Sequence, residues 1–305
     1  MKAIRVIGWG QPLQMEDIPQ PTPANDEILV RVHAASINPF DTFVHLGYMQ
    51  GMLTTPLTLG TDFAGEVVEV GSEITHVQPG DAVYGLVPMH PGSFAEYLVA
   101  KAHEVTHKPK TLNFVQSAGV PLASLAACQS LFDLGQPQKG ERVLIIGAAG
   151  AVGGCVIQLI KEVGAYVYAV DVPDKADFVR ALGVDRFINS QAERYEDVVG
   201  KVDLVLDFVG GDNLSRAYSV LKDGGRYVTS LVLPSPQDEA ERRGIRSMSL
   251  ATQANVAQLN DLAQRIDSGK LKIFINRTFP LSEVQAAMEY RMTTTEPGKV
   301  VLTNL

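Results

Sequence analysis

The sequence predicts an α/β protein in which a β-rich first part precedes a doubly wound parallel sheet. Up to about Leu122 the chain consists of short β-like runs, EILVRVHAA, GEVVEVG, DAVYGLV and FAEYLVA, punctuated by Gly and Pro. From Glu141 the rhythm changes to near-continuous apolar runs, RVLIIG, AYVYAVDV, VDLVLDFVG and GRYVTSLVL. Between them lie the helix-like stretches GGCVIQLIKEVG, KADFVRALG and LSRAYSVLKDG. Strands that are apolar throughout and alternate with helices make a parallel sheet covered on both faces.

Further along, the composition turns polar after Pro234, and SPQDEAERRG reads as a surface loop. A helix follows in VAQLNDLAQRIDSG, stopping at Gly269, and the tail adds a helix in FPLSEVQAAMEYR and a strand in GKVVL. No internal repeat or low-complexity segment interrupts this order.

A chain of 305 residues with 46% hydrophobic and 20% charged residues has room for two domains and an ordinary globular core. The net charge of −8 argues against a nucleic-acid partner. The start, MKAIRVIGWGQPLQ, lacks the apolar core of a signal peptide. Cys128 and Cys155 lie in apolar runs without a C-x-x-C, the pattern of buried thiols in a reducing compartment, so a cytoplasmic location is expected. The run from Val143 to Ile160 is long enough to suggest a membrane span. Its central glycines favour a strand, a turn and a new helix instead, so no membrane partner is expected.

His103-Glu104-Val105-Thr106-His107 matches H-E-x-x-H, which holds zinc only when both histidines lie on one helical face. Ser93 and Glu96 fit a capping box that would open such a helix, whereas alternation through Phe94 to Val99 fits a strand equally well. The third ligand is missing: GVPLASLAA, from Gly119 to Ala127, has no His, Cys, Asp or Glu. Lys110 and Asn113 also stand where the longer protease pattern needs Gly and His. A zinc protease is therefore not expected.

After the strand VLII comes Gly147-Ala148-Ala149-Gly150-Ala151-Val152-Gly153-Gly154 and then an amphipathic helix. Gly150 and Gly153 allow close approach to a pyrophosphate, and the helix N-terminus supplies amide donors. Ala148 replaces the first glycine of G-x-G-x-x-G. Asp171 ends the next strand, where a carboxylate can take the hydroxyls of an adenosine ribose. The pattern predicts a dinucleotide site, against the alternative of a packing turn with a solvated Asp.

With INPFDTF, LGTDFAGEVVEVGSEI, PGDAVYG, GSFAEYLVA, GAAGAVGG, FVRALGVD, VDLVLDFVGG, LKDGGRYV and GKVVL in this order, the chain resembles the medium-chain dehydrogenase/reductase superfamily. Within it, the zinc-independent quinone oxidoreductase and enoyl reductase branch is the nearer match. The resemblance implies a GroES-like substrate domain over 1–122, a Rossmann dinucleotide-binding domain over 123–254, and a segment 255–305 that returns to the first domain. It places HEVTH on a strand and its exit, and an active site in the cleft between the domains. Zinc-dependent members bind catalytic zinc through a Cys, a His and another Cys or Asp; here those positions read Asn38, Thr61 and Leu122. No catalytic zinc is expected, nor structural zinc, because VYGLVPMHPG runs directly into SFAEY.

The resemblance further implies hydride transfer from NADH or NADPH to a quinone or an α,β-unsaturated carbonyl. It assigns the cofactor to Ala149, Gly150, Ala151, Val152, Gly153, Asp171, Lys175, Ser190, Phe208, Val209, Gly210, Ser230 and Leu231. Asn38 is expected to orient ligand or cofactor, or else to be a turn residue before Pro39. Related quinone reductases carry a Tyr, an Arg and a second Tyr after the N-x-x-D block; here Phe43 and His45 stand at the first two, and Tyr48 comes one place early. Tyr48 and His45 are the candidate proton donors, with solvent as the alternative. Asp171 would repel a 2′-phosphate, which favours NADH, although Lys175 partly offsets it. GGRYVTSLVLP resembles the edge strand through which relatives pair, so a homodimer is expected. A catalytically weak dinucleotide-binding sensor or crystallin-like protein is the alternative function.

Overall fold

The computed structural model describes residues 1–88, 91–231 and 238–303. The chain divides into two compact units, Met1–Leu122 with Ala254–Leu305, and Ala123–Gln253.

The first unit carries strands β1 (Lys2–Val6), β2 (Gln14–Asp17), β3 (Glu27–Ile37), β4 (Leu57–Thr58), β5 (Asp62–Val70), β6 (Ala82–Leu86), β7 (Tyr97–Lys101) and β8 (Val105–His107). After the second unit come β15 (Ile275–Pro280) and β16 (Lys299–Thr303). Helices α1 (Pro39–His45), α2 (Phe114–Ala118), α9 (Val256–Asp267) and α10 (Val284–Thr293) complete it. The eleven-residue β3 organises the larger sheet, because β5 pairs along one edge while β7 and β16 share the other. Ser36 lies opposite Asp62 of β5, and Ile37 opposite Val300 of β16. That register sets the ends of three distant strands side by side. Ile28, Val30, Val32, Phe63, Val67, Val83 and Leu98 fill the core beneath.

The second unit holds β9 (Arg142–Ile146), β10 (Tyr166–Asp171), β11 (Arg186–Asn189), β12 (Val202–Asp207), β13 (Leu221–Thr229) and β14 (Arg246–Ser249) in one parallel sheet, ordered β11-β10-β9-β12-β13-β14. Helices α3 (Pro121–Cys128), α4 (Ala151–Ile160), α5 (Ala176–Ala181), α6 (Tyr195–Val199), α7 (Asn213–Val220) and α8 (Asp238–Arg242) accompany it. Strand order reverses at β9, and in such sheets ligands bind beyond the carboxyl ends of the strands at that point. Cys128 and Cys155 are buried and are not joined in a disulfide.

Several local readings are decided or corrected by the structure. HEVTH is one 3₁₀ turn, Ala102–Glu104, followed by β8; Glu104 Oε2 accepts the Lys101 N–H at 2.7 Å and closes the turn, so the histidines do not share a helical face. Ser93 is no helix cap: its hydroxyl donates to the Asp62 carbonyl at 2.8 Å. DEAER within the expected surface loop forms α8, because Ala240 finds a buried seat and acidic side chains occupy the first turn. The helix in LSRAYSVLKDG stops at Val220, where Leu221 already belongs to β13. β13 itself is not an edge strand, since it pairs with β12 and with β14. The end of GGRYVTSLVLP lies outside the described residues. The Val143–Ile160 run is split, as its central glycines predict, into β9 and α4, and no described helix is long and apolar enough to cross a membrane.

Candidate functional site

At the carboxyl end of β9, Gly147 adopts φ 82° and turns the chain into α4, with Gly150 as the N-cap. A Cβ on Gly153 would stand 2.4 Å from the Gly147 carbonyl oxygen and 2.9 Å from the Ala148 Cα, so helix and turn pack with no room for a side chain. Gly150 is less crowded, at 3.3 Å from the same oxygen. The turn therefore presents the first amides of α4, at Ala151 and Val152, without intrahelical partners. Ala148, where the pattern has its first glycine, is buried and tolerated.

Asp171 ends β10 beside this turn. Its Oδ2 accepts the Ala149 N–H at 2.7 Å, and its Oδ1 accepts the Val172 N–H at 2.8 Å. Lys175 Nζ lies 3.8 Å from Oδ1, and the Ser190 N–H donates to the Asp171 carbonyl at 2.9 Å. Asp171, Lys175 and Ser190 thus gather at the ends of β10 and β11. On the far side of β9, Phe208, Val209 and Gly210 follow β12, with Val209 58% exposed. Ser230 and Leu231 follow β13, and a Cβ on Gly210 would meet Leu231 Cδ1 at 2.1 Å. The expected cofactor residues therefore share one edge of the sheet. Sequence reasoning missed the fully buried Asp207, which shapes that edge. Its Oδ1 accepts the N–H groups of Val209 and Gly210, each at 2.9 Å, and its Oδ2 accepts the Tyr227 hydroxyl at 2.8 Å. An acid directly after the apolar run Leu204-Val205-Leu206 was the available signal.

In the first unit the candidates separate. Asn38 caps α1 and is buried; its Nδ2 donates to Asp62 Oδ2 at 3.0 Å and to Thr61 Oγ1 at 3.4 Å, while its Oδ1 accepts from Lys299 Nζ. Its amide is thus fully engaged within the fold. Asp62 also accepts from the Ser36 hydroxyl, from Lys299 Nζ at 3.1 Å and, through Oδ1, from the Leu122 N–H at 2.7 Å. Lys299 and Asp62 were not expected here, and nothing local in GKVVL or LGTDF marks them as partners. His45 is buried, with Nε2 bonded to the Gln11 carbonyl at 2.7 Å, so it ties down the chain after β1. Tyr48 is 76% exposed and stands edge-on to Phe43 with ring centroids 5.6 Å apart. Asp41, buried one turn into α1, accepts the Asn38 N–H at 2.7 Å through Oδ2, while Oδ1 has no partner. Burial foremost, with the nearby Asp62 adding to it, pushes its carboxyl up to about 7 against the opposing pull of the Asn38 amide and Lys299.

At Asn38, Thr61 and Leu122, which the resemblance sets against the zinc ligands of metal-dependent dehydrogenases, stand an amide, a hydroxyl and an aliphatic chain, with an ammonium bonded to the amide. That donor set does not fit zinc, which takes thiolate, imidazole or carboxylate in tetrahedral geometry. Among the described residues no group of three His, Cys, Asp or Glu is placed to hold a metal ion.

Comparison with known proteins agrees with this architecture. A family model for an alcohol dehydrogenase GroES-like domain matches residues 24–110, and one for a zinc-binding dehydrogenase matches residues 182–302. The chain is 34% identical to the 2-methylene-furan-3-one reductase of Solanum lycopersicum, over 99% of this chain and 79% of that protein. It is 34% identical to the mitochondrial NAD(P)H oxidoreductase RTN4IP1 of Mus musculus, over 86% of this chain and 78% of that protein. The solved structure of a quinone oxidoreductase from Coxiella burnetii superposes with a TM-score of 0.90 at 33% identity, covering 100% of this chain and 99% of that one. With two family models, these relatives and the sheet order in agreement, the chain belongs to the medium-chain dehydrogenase/reductase superfamily, in its quinone oxidoreductase-like branch.

Proposed function

We propose that the protein is an NAD(P)H-dependent reductase that delivers hydride, without zinc, to a quinone or to the β-carbon of an α,β-unsaturated carbonyl. The observation that carries this reading is the edge of the parallel sheet, where the Gly147–Gly153 turn, the N-terminus of α4 and Asp171 form a seat for a dinucleotide. The relatives' names support the acceptor class: one is a reductase of an exocyclic enone, another a quinone oxidoreductase. Bound at that edge, a reduced nicotinamide supplies the hydride. The α4 amides hold the pyrophosphate, and Asp207 keeps the Val209–Gly210 turn in shape beside it. Asp171 favours the free ribose hydroxyls of NADH, with Lys175 3.8 Å away as a partial counter-charge. His45 is committed to the Gln11 carbonyl, which leaves solvent or the exposed Tyr48 to supply the proton.

Purified protein mixed with NADH or NADPH and a panel of quinones, alkenals and simple alcohols is the test. Acceptor-dependent oxidation with quinones or enones, and none with alcohols, is the expected result. Tight cofactor binding without turnover on the whole panel would instead favour a dinucleotide sensor. For assembly we propose a cytoplasmic homodimer that pairs through β14, one of the two terminal strands of the second unit's sheet and the one next to β13.

A further inference from the structure

Lys299 is 4% exposed and its partner Asp62 is fully buried. Taking two charges out of water costs about as much as their attraction returns, so such a pair is poor evidence of added stability. What it organises is visible in the direction of its hydrogen bonds. Asn38 has one sensible amide orientation, with Oδ1 toward the ammonium and Nδ2 toward the carboxylate. The reverse would set NH₂ against NH₃⁺ and oxygen against oxygen. Donation then runs one way, from Lys299 Nζ to Asn38 Oδ1, and from Asn38 Nδ2 to Thr61 Oγ1 at 3.4 Å. The second amide hydrogen of Asn38 is held by Asp62 Oδ2 at 3.0 Å, which fixes the plane of the amide. Thr61 is 6% exposed, and among the described residues no acceptor takes its hydroxyl proton.

We propose that the Thr61 hydroxyl donates a hydrogen bond to the carbonyl oxygen of the acceptor, with Asn38 and Lys299 as the positioning residues that orient and polarise it. This rests on the reductase reading above. In a chain of hydrogen bonds with a common direction, each bond strengthens the next, and here the chain starts at a full positive charge. Because the Asn38 amide occupies one lone pair of Oγ1, the O–H turns away from Asn38 and is left to donate to a ligand. When hydride adds to the β-carbon, the C=C electron pair shifts and the carbonyl oxygen takes on negative charge; in a quinone it becomes a phenolate oxygen. A fixed donor at that oxygen stabilises the transition state more than the ground state. Thr61 keeps its proton throughout, and water supplies the proton that completes the product. The ammonium thus supplies, through two neutral groups, part of the polarisation that a metal supplies in other members.

The experiment compares T61V, T61S and the double variant K299M/D62N, which removes both buried charges together. T61V is close in shape to the native residue. It is expected to keep its melting temperature and its NAD(P)H affinity while losing kcat by about 10²-fold or more, the usual effect of one lost donor at a developing oxyanion. KM for the acceptor should move far less, and T61S, which restores the hydroxyl, should recover most of kcat. K299M/D62N should bind NAD(P)H normally and show a kcat deficit that T61V does not deepen, since both act through one hydroxyl. An active wild type with T61V equally active, or with T61S as poor as T61V, would overturn the inference and leave the reductase reading intact. Wild-type kcat in K299M/D62N would remove the positioning role. A wild type inactive on every quinone and enone would end the reductase reading first, and this inference with it.

Discussion

Asp171 accepts the Ala149 amide at 2.7 Å, so the carboxylate expected to read the ribose also anchors the phosphate turn. The two roles are separable. Asp171→Ser removes the charge that repels a 2′-phosphate and shifts relative kcat/KM toward NADPH by about 1–3 kcal/mol, the size of a charge-assisted hydrogen bond. Because the serine hydroxyl reaches Ala149 less well, affinity for both cofactors should also fall. Steady-state kinetics with both cofactors on both proteins decides it; an unchanged NADH to NADPH ratio would remove Asp171 from ribose recognition.

Gly153 and Gly150 differ in what a methyl group would meet, at 2.4 Å and 3.3 Å from the Gly147 carbonyl oxygen. A backbone carbonyl inside a tight turn cannot yield by an ångström. Gly153→Ala should therefore cost about 1–3 kcal/mol of stability and lower NAD(P)H affinity, whereas Gly150→Ala should unfold at nearly the wild-type denaturant concentration. Urea titrations of the two variants, followed by cofactor binding, test the contrast.

Asp41 carries the clearest dependence on pH. Its folded-state pKa, about 7, is above the ordinary carboxylate value of 3.8, so the folded protein holds this proton more tightly than the unfolded chain. The stabilising contribution is complete below the unfolded value and is lost as pH rises toward 7, at up to about 1.4 kcal/mol per pH unit. Asp41→Asn keeps an oxygen for the Asn38 amide but cannot ionise. Relative to wild type it should gain stability steadily from pH 4 to 7 and no further above pH 8. Urea unfolding at four pH values measures this, and a constant difference would show that Asp41 does not titrate there.

Tyr227 donates to the buried Asp207 at 2.8 Å, and burial raises the phenol's own pKa, so the hydroxyl remains a donor at neutral pH. Removing it leaves one lobe of a buried carboxylate unmet. Tyr227→Phe should cost about 1–3 kcal/mol; since Asp207 still holds Val209 and Gly210, cofactor affinity should change less than stability. Thermal unfolding beside a fluorescence titration with NADH separates the two effects.

Much of the second unit was legible because its signals are local. VLII, the glycine turn and the helix after it are contiguous, and Asp171 falls at a strand end that the apolar run of AYVYAV announces. The same local reasoning failed to decide between helix and strand where two periodicities fit one segment, as in FAEYLVA and HEVTH. There, pairing of β7 with β3 and of β8 with β6 selects the extended form. It failed again at β13, whose apolar run does not reveal that β14 covers its outer edge. The first unit's polar cluster lay beyond any local reading. Asn38 and Lys299 are 261 positions apart, and Asp62 and Lys299 are 237 apart. They meet because β3 pairs with β5 on one side and β16 on the other, in a register that brings three strand ends together. Amino-acid order therefore specified the turn that can hold a dinucleotide, since backbone conformation and helix dipoles are properties of neighbouring residues. Which polar groups share a proton, a charge or a free donor was set by strand pairing, because hydrogen bonds depend on distances in space that only the assembled sheet creates.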